Sequence, residues 1–370
     1  MSNFTNEQTN LSRFLVSQVD FSEDFKAYEE IGPERMSAIL SQENIALVFT
    51  REYEHAIGCM SSQGNFEISY FSLPHPSGIA VCDNSVYVFS TRTPHMLVEF
   101  KKRINGNFDD QYTYLVPDHV RILPGALYAH ELVLHGDYLY FNATGYNDVR
   151  RISSSLNGTI DTIFTPNFIQ RNRGNCMQLN SLAFGGDGDA FSTCFSACDS
   201  DYKPWKDSEG PKAKGAVIRH SDSHILVSGL TCPHSVRVID GQLFFCNSGF
   251  GEINTCKIDG LDYQLVASLP GFTRGLAASE NYFFVGLSRI QKGKSSYAPG
   301  INPETSHCGI AAIKRSTGEV SCLLSWINGQ QIFDIQLLDM NDFHLPRFPQ
   351  SRLAGSSEPS DIFYNWKDNT

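Results

Sequence analysis

No run of this chain approaches the ~20 consecutive apolar residues that a membrane-crossing helix needs, so none is expected. Positive charge is scarce. The 29 Lys and Arg stand against 40 Asp and Glu, a net charge of −11, which disfavours nucleic acid and anionic membranes as partners. The ten cysteines include no Cys-x-x-Cys pair, and Cys82, Cys246 and Cys322 fall inside apolar strands. Disulfides and a cysteine zinc site are therefore not expected, and the thiols read as small buried hydrophobes. Met1 to Asn10 hold no apolar core of the secretory kind, so a cytosolic location is expected and the sequons at Asn142 and Asn157 carry no weight.

The chain does have many aromatics and one recurring phrase. Its 26 Phe and 15 Tyr recur in short runs cut by Gly, Asn, Asp and Ser, the pattern of an all-β protein. The phrase occurs as Ser77-Gly78-Ile79-Ala80, His130-Glu131-Leu132-Val133, Asn180-Ser181-Leu182-Ala183, His234-Ser235-Val236-Arg237, Arg274-Gly275-Leu276-Ala277 and Phe333-Asp334-Ile335-Gln336. Its intervals are 53, 50, 54, 40 and 59 residues. A period of that size with about four strands per unit signals a β-propeller.

The last copy leaves no room for three further strands, and the first strands, from Ala46 onward, lack an inner partner. Joining the two ends closes a ring of six blades and removes an exposed edge. The expected organisation is a helical cap over 1–44, a six-bladed propeller over 45–340, and a tail over 341–370 packed on its outside. Two cap helices are expected, Leu11 to Val19 and Phe25 to Leu40, interrupted at Gly32-Pro33.

In such a ring the six leading residues, the ends of the second strands and three long loops share one mouth of the channel. Those loops are Lys102 to Leu127, Ser196 to Lys214 and Arg289 to His307. Ser196 to Lys214 holds Trp205 among Lys203, Lys206, Lys212 and Lys214, and reads either as a basic flap or as a surface loop.

Two columns of residues should line the mouth: Ser77, His130, Asn180, His234, Arg274 and Phe333, then Gly78, Glu131, Ser181, Ser235, Gly275 and Asp334. His130 and His234 are the acid/base candidates, because imidazole titrates near neutrality. Glu131 and Asp334 could orient them, Asn180 and Ser235 could donate to substrate, and Arg274 could grip a carboxylate or phosphate. Three second strands end in Thr50-Arg51, Thr91-Arg92 and Ser288-Arg289, so Arg51, Arg92 and Arg289 should add to a positive mouth. No cofactor is expected. The alternative is a divalent metal held by His130, Glu131, His234 and Asp334, and Arg274 in the same ring weighs against it.

Leu179-Asn180-Ser181-Leu182-Ala183, Cys232-Pro233-His234-Ser235-Val236-Arg237, Asn247-Ser248-Gly249-Phe250-Gly251-Glu252 and Pro270-Gly271-Phe272-Thr273-Arg274-Gly275 resemble, in that order, a bacterial propeller family classed as a domain of unknown function. The resemblance continues through Val285-Gly286-Leu287-Ser288 and Cys308-Gly309-Ile310 and spans about 45 to 340. It implies a six-bladed propeller distantly similar to the gluconolactonase and strictosidine-synthase type, and no particular activity. His130, Asn180, His234 and Arg274 match the family's motif positions. Gln178 stands where the family usually has His, and Glu131 where it usually has Asp.

The expected function is that of a small-molecule enzyme. It would act on an anionic or polar metabolite by cyclisation, isomerisation or elimination, in a specialised biosynthetic pathway. Metal-assisted hydrolysis of an ester or lactone is the second enzyme reading. A propeller that binds a protein or glycan without catalysis is the competing class.

Overall fold

The computed structural model describes residues 21–349, apart from 29–30, 64, 93, 104–110, 171–173, 187, 207–209 and 292–294. Six antiparallel sheets form the blades. Blade 1 joins Ile45–Arg51, Ala56–Ser62 and Phe66–Ser72 to an innermost strand, Ile335–Asp339, from the far end of the chain. Ile335 pairs with Phe49 and Asp339 with Ile45, so the ring closes as the repeat pattern requires. Blades 2 to 6 begin with the inner strands Pro76–Cys82, Leu132–His135, Leu179–Phe184, Pro233–Ile239 and Phe272–Ala278.

Blades pack face to face, so their second strands bury both faces and need no polar side. Ile45–Arg51 and Ser85–Ser90 are buried at every position, whereas the outermost strand of blade 4, Ile225–Leu230, is largely exposed. The inner strands of blades 2, 4, 5 and 6 break register between Pro76 and Ile79, Leu179 and Ser181, His234 and Arg237, and Arg274 and Leu276. Those of blades 2, 5 and 6 take in the second column, where neighbouring backbones nearly touch, and that of blade 4 falls at Asn180 beside it. A Cβ on Gly78 would lie 2.5 Å from Leu132 N, and one on Gly275, at φ +73°, would lie 2.9 Å from Asp334 Cα. Crowding at the axis therefore accounts for the small residues of that column.

Hydroxyl groups staple blade to blade. Thr50 Oγ1 donates to Ser77 O at 2.7 Å, Thr144 Oγ1 to Leu179 O at 2.5 Å, Ser248 Oγ to Thr273 O at 2.6 Å and Ser288 Oγ to Ile332 O at 3.1 Å. Each sits where a second strand ends, next to the leading residue of the following blade.

The cap helix expected over Leu11 to Val19 lies outside the described residues. The second one differs from expectation. A single turn, Glu23–Lys26, precedes a helix at Ile31–Glu43. Gly32-Pro33 opens that helix instead of interrupting it, because proline's missing N–H costs nothing in a first turn. Met36, Ile39 and Leu40 bury against Ile310, Cys322 and Leu324 of blade 6 and Leu47 and Met60 of blade 1, across the seam where the ring closes. The segment Lys102 to Leu127 is also corrected. Among its described residues, Lys102 and Arg103 end one strand and Thr113–Ile122 form the fourth strand of blade 2, so these are sheet and not a loop at the mouth. Pro346–Arg347 adds a fifth strand parallel to that one, and Phe343 and Phe348 are buried beside it. All ten cysteines are free. No described helix is long and apolar enough to cross a membrane.

Candidate functional site

A cavity of about 860 Å³ occupies the mouth where the leading residues gather. His130, His234, Arg274 and Phe333 of the first column line it, with Arg92 and Arg289 from the ends of second strands. Lys203, Trp205 and Lys206 from the blade 4 loop and Tyr297 from the blade 6 loop complete one side. Seven aromatic side chains face it: Tyr53, Tyr128, Phe195, Trp205, Phe272, Tyr297 and Phe333. Among the described residues, five basic groups (Arg92, Lys203, Lys206, Arg274 and Arg289) face a single carboxylate, Glu52. On a chain of net charge −11 this is a local reversal of sign. Low-dielectric walls focus such a field toward an incoming anion.

The two histidines are held by the same device. Residues two places earlier, Tyr128 and Cys232, lie in the left-handed region at φ +48° and +49°. That twist brings each carbonyl back onto the imidazole, so His130 Nδ1 meets Tyr128 O at 2.7 Å and His234 Nδ1 meets Cys232 O at 2.9 Å. Thr144 Oγ1 and Ser248 Oγ lie 3.2 and 3.0 Å from the same nitrogens, and both hydroxyl protons are committed to the next blade. Nδ1 must therefore carry the hydrogen in both rings, which leaves Nε2 as the acceptor. Gln178 fills the acceptor of His130, its Nε2 donating at 3.0 Å while Asn175 Nδ2 donates to its Oε1 at 2.7 Å. No described residue hydrogen-bonds Nε2 of His234, which sits between the rings of Phe195 and Phe272. Burial, then the charge of Arg274, pushes His130 down to about 3 and His234 well below its ordinary value. Both rings are neutral at pH 7.

Arg274 lies over Phe333, its guanidinium carbon 3.4 Å from the ring centroid. With the Gln331 amide oriented to satisfy both neighbours, its oxygen accepts from Arg274 Nη1 at 3.0 Å and its nitrogen donates to Glu52 Oε2 at 3.1 Å. Glu52 Oε1 takes Arg92 Nε at 2.8 Å. Burial lowers Arg274 to about 10, and Glu52 is foremost among the groups opposing that shift. Arg274 therefore remains a cation, with one edge anchored through Gln331.

The remaining candidates lie elsewhere. Asn180 is buried below the mouth, donating to Pro233 O at 3.0 Å and accepting from Thr193 Oγ1 at 2.6 Å. Ser235 accepts from Gly275 N at 2.8 Å inside the bulge. Arg51 turns away from the mouth, bonds Glu54 at 2.9 Å, and lies 4.1 Å from the Phe25 ring and 5.4 Å from that of Trp326. It fastens the N-terminal segment to blade 1. Glu131 and Asp334 sit deeper in the channel and belong to Arg237. Arg237 meets both oxygens of Glu131 at 3.1 Å, Asp334 Oδ1 at 3.3 Å and Leu276 O at 2.8 Å. Asp334 also accepts from Ile79 N at 2.9 Å and Ile335 N at 2.8 Å. Burial, with Asp334 nearby, raises Glu131 to about 7 in spite of Arg237. No three of His130, Glu131, His234 and Asp334 bring ligand atoms within 4.8 Å of one another. Among the described residues only Glu99, Asp118 and His119 do so, and Lys101 and Arg103 already pair with Asp118 at 2.8 and 2.9 Å.

Sequence reasoning gave no site role to Glu52, Gln331, Tyr128, Phe272 or Arg237, and named Gln178 only as a departure. A signal was present. Tyr128, Gln178, Phe272 and Gln331 each lie two places before a leading residue, as does His75 at the same mouth.

These groups set how stability depends on pH. His130 and His220 hold values of about 3 in the fold, and His75, His95 and His234 are also depressed. Below the ordinary value of 6.5 the unfolded chain binds protons that these rings refuse, so their contribution is lost as pH falls. Asp118 and Asp222, lowered in the fold, act in the same direction. Glu131, Asp148 and Asp334 are raised and oppose it, because the fold keeps protons that the unfolded chain releases as pH rises. The two aspartates act only lower, near and below their ordinary value of 3.8; between pH 6.5 and 4.5 the five depressed histidines outnumber the three raised carboxylates, so the melting temperature should fall there. A flat or rising profile there would contradict these assignments.

Fold and mouth together define a six-bladed propeller with a basic, aromatic cavity at one end of its channel. The chain belongs to the family described as Domain of unknown function (DUF4915), whose model matches residues 34–345. No curated protein matches it. Among solved structures, a chain of the nidogen/laminin complex aligns with a TM-score of 0.55 at 10% identity, over 80% of this chain and 99% of that one. Virginiamycin B lyase from Staphylococcus aureus aligns at 0.42 and 15% identity, over 65% and 73% of the two chains. A gluconolactonase from Xanthomonas campestris aligns at 0.46 and 15%, over 69% and 77%. At these identities the likeness is one of fold.

Proposed function

We propose that the protein is an enzyme acting on an anionic small molecule at the channel mouth, with His234 as the base and Arg274 as the anchor. The observation that carries this reading is the lone acceptor nitrogen of His234, buried beside Arg274 in a cavity where basic groups prevail. A neutral imidazole with Nδ1–H on a carbonyl is ready to take a proton at Nε2, because that carbonyl and the Ser248 hydroxyl then stabilise the imidazolium. An anion bound at Arg274 offsets the positive field that depresses the imidazole, so substrate binding itself raises the basicity of His234. His130, with its hydrogen on Tyr128 O and its acceptor covered by Gln178, holds no proton to give, so His234 returns the proton it has taken. Glu131 and Asp334 take no part in the proton transfers; they serve the scaffold through Arg237. Isomerisation, elimination or cyclisation next to an acidic group fits this set.

The test is untargeted mass spectrometry of a polar metabolite extract incubated with the protein. An anionic compound should be converted by the wild type and spared by His234→Gln. Binding of anions without conversion of any would overturn the catalytic reading in favour of a binding module.

A further inference from the structure

Resting on that reading, we propose that the ligand carries two acidic groups joined by an apolar body, the second group being met by Lys203 and Lys206. These lysines line the cavity from the blade 4 loop, and among the described residues no carboxylate pairs with either; the one described carboxylate of the cavity, Glu52, is taken by Arg92. Lys203 is depressed by partial burial and by the charge of Lys206. Two like charges turned toward one cavity without a counter-ion repel each other, and an anion between them relieves that repulsion.

The loop is seated rather than loose at this point. The one-turn helix Pro204–Lys206 buries Trp205 to 3% exposure against Phe195, ring centroids 6.2 Å apart. Phe195 in turn packs 5.1 Å from His234, whose ring feels the charge of Arg274. Rim lysines, aromatic wall, imidazole and deep arginine thus follow one another along one side of the cavity. A molecule gripped at both ends would lay its apolar middle on Trp205 and Phe195 and present its bonds to His234. Cavity volume allows this, since about 860 Å³ lies toward the upper end of ligand sites, typically ~300–1,000 Å³.

The experiment is a calorimetric titration at low ionic strength with straight-chain dicarboxylates from succinate to sebacate, each beside the monocarboxylate of equal length. One dicarboxylate should bind at least about tenfold more tightly than its monocarboxylate, with an optimum in chain length. Lys203→Met/Lys206→Met should collapse that ratio toward one, and Lys203→Arg/Lys206→Arg should keep it. Monocarboxylates that bind through Arg274 with no gain for any dicarboxylate would overturn the second subsite and leave the proposed function standing. Failure of every carboxylate to bind would overturn both.

Discussion

Replacing Arg237 by Met should cost about 3–5 kcal/mol, the usual penalty for breaking a buried ion pair from one side. Arg237 holds two carboxylates that are 5% and 4% exposed, and its own side chain is 15% exposed. Its removal leaves Glu131 and Asp334 facing each other in the channel without a counter-charge. The melting temperature should drop on the order of 10 °C. The drop should be smaller at pH 5 than at pH 8, because a protonated Glu131 escapes most of the repulsion. Arg237→Met combined with Glu131→Gln should recover part of the loss. A melting temperature within about 2 °C of wild type for Arg237→Met would show that the ion group does not lock the ring.

His234→Gln should lower turnover of the converted metabolite by about 10²–10⁴-fold, the usual contribution of one general base. Most of the loss should fall on kcat, since Arg274 still holds the substrate. His130→Gln should lose less, because Gln178 already occupies the acceptor of that ring. The measurement is single-turnover conversion at pH 7 with the melting temperature as control. Turnover within about threefold of wild type would exclude His234 as the base, the result being far below the effect expected of one.

Much of the ring was legible because each blade repeats one structural problem. The apolar residue two places after each leading residue (Ile79, Leu132, Leu182, Val236, Leu276 and Ile335) must be buried between blades, so the phrase survives and its period counts the blades. His130, His234, Arg274 and Phe333 reached the mouth as the phrase implied. Asn180 did not, since an amide at the same position can satisfy itself on Pro233 O and Thr193 instead of facing the cavity. Arg51 and Arg92 occupy equivalent places in sequence yet diverge. The aromatic pocket of Phe25 and Trp326 exists beside only one of them. Glu52 and Gln331 were hidden because ring closure joins residues 279 apart, as for the Ser69–Phe348 bond, and no local pattern records such a meeting. Arg237 stood in full view within the repeat. Its role depends on where a long side chain points across the channel, and spacing does not encode that.

The central claim is that an anion binds at Arg274. The direct test is calorimetric titration of wild type and Arg274→Gln with benzoate and phenylphosphonate, beside neutral benzamide, at low ionic strength. The account predicts that the anions bind more tightly than benzamide and lose about 10–100-fold of affinity in the variant. Benzamide binding as well as the anions, or an unchanged affinity in Arg274→Gln, would contradict it.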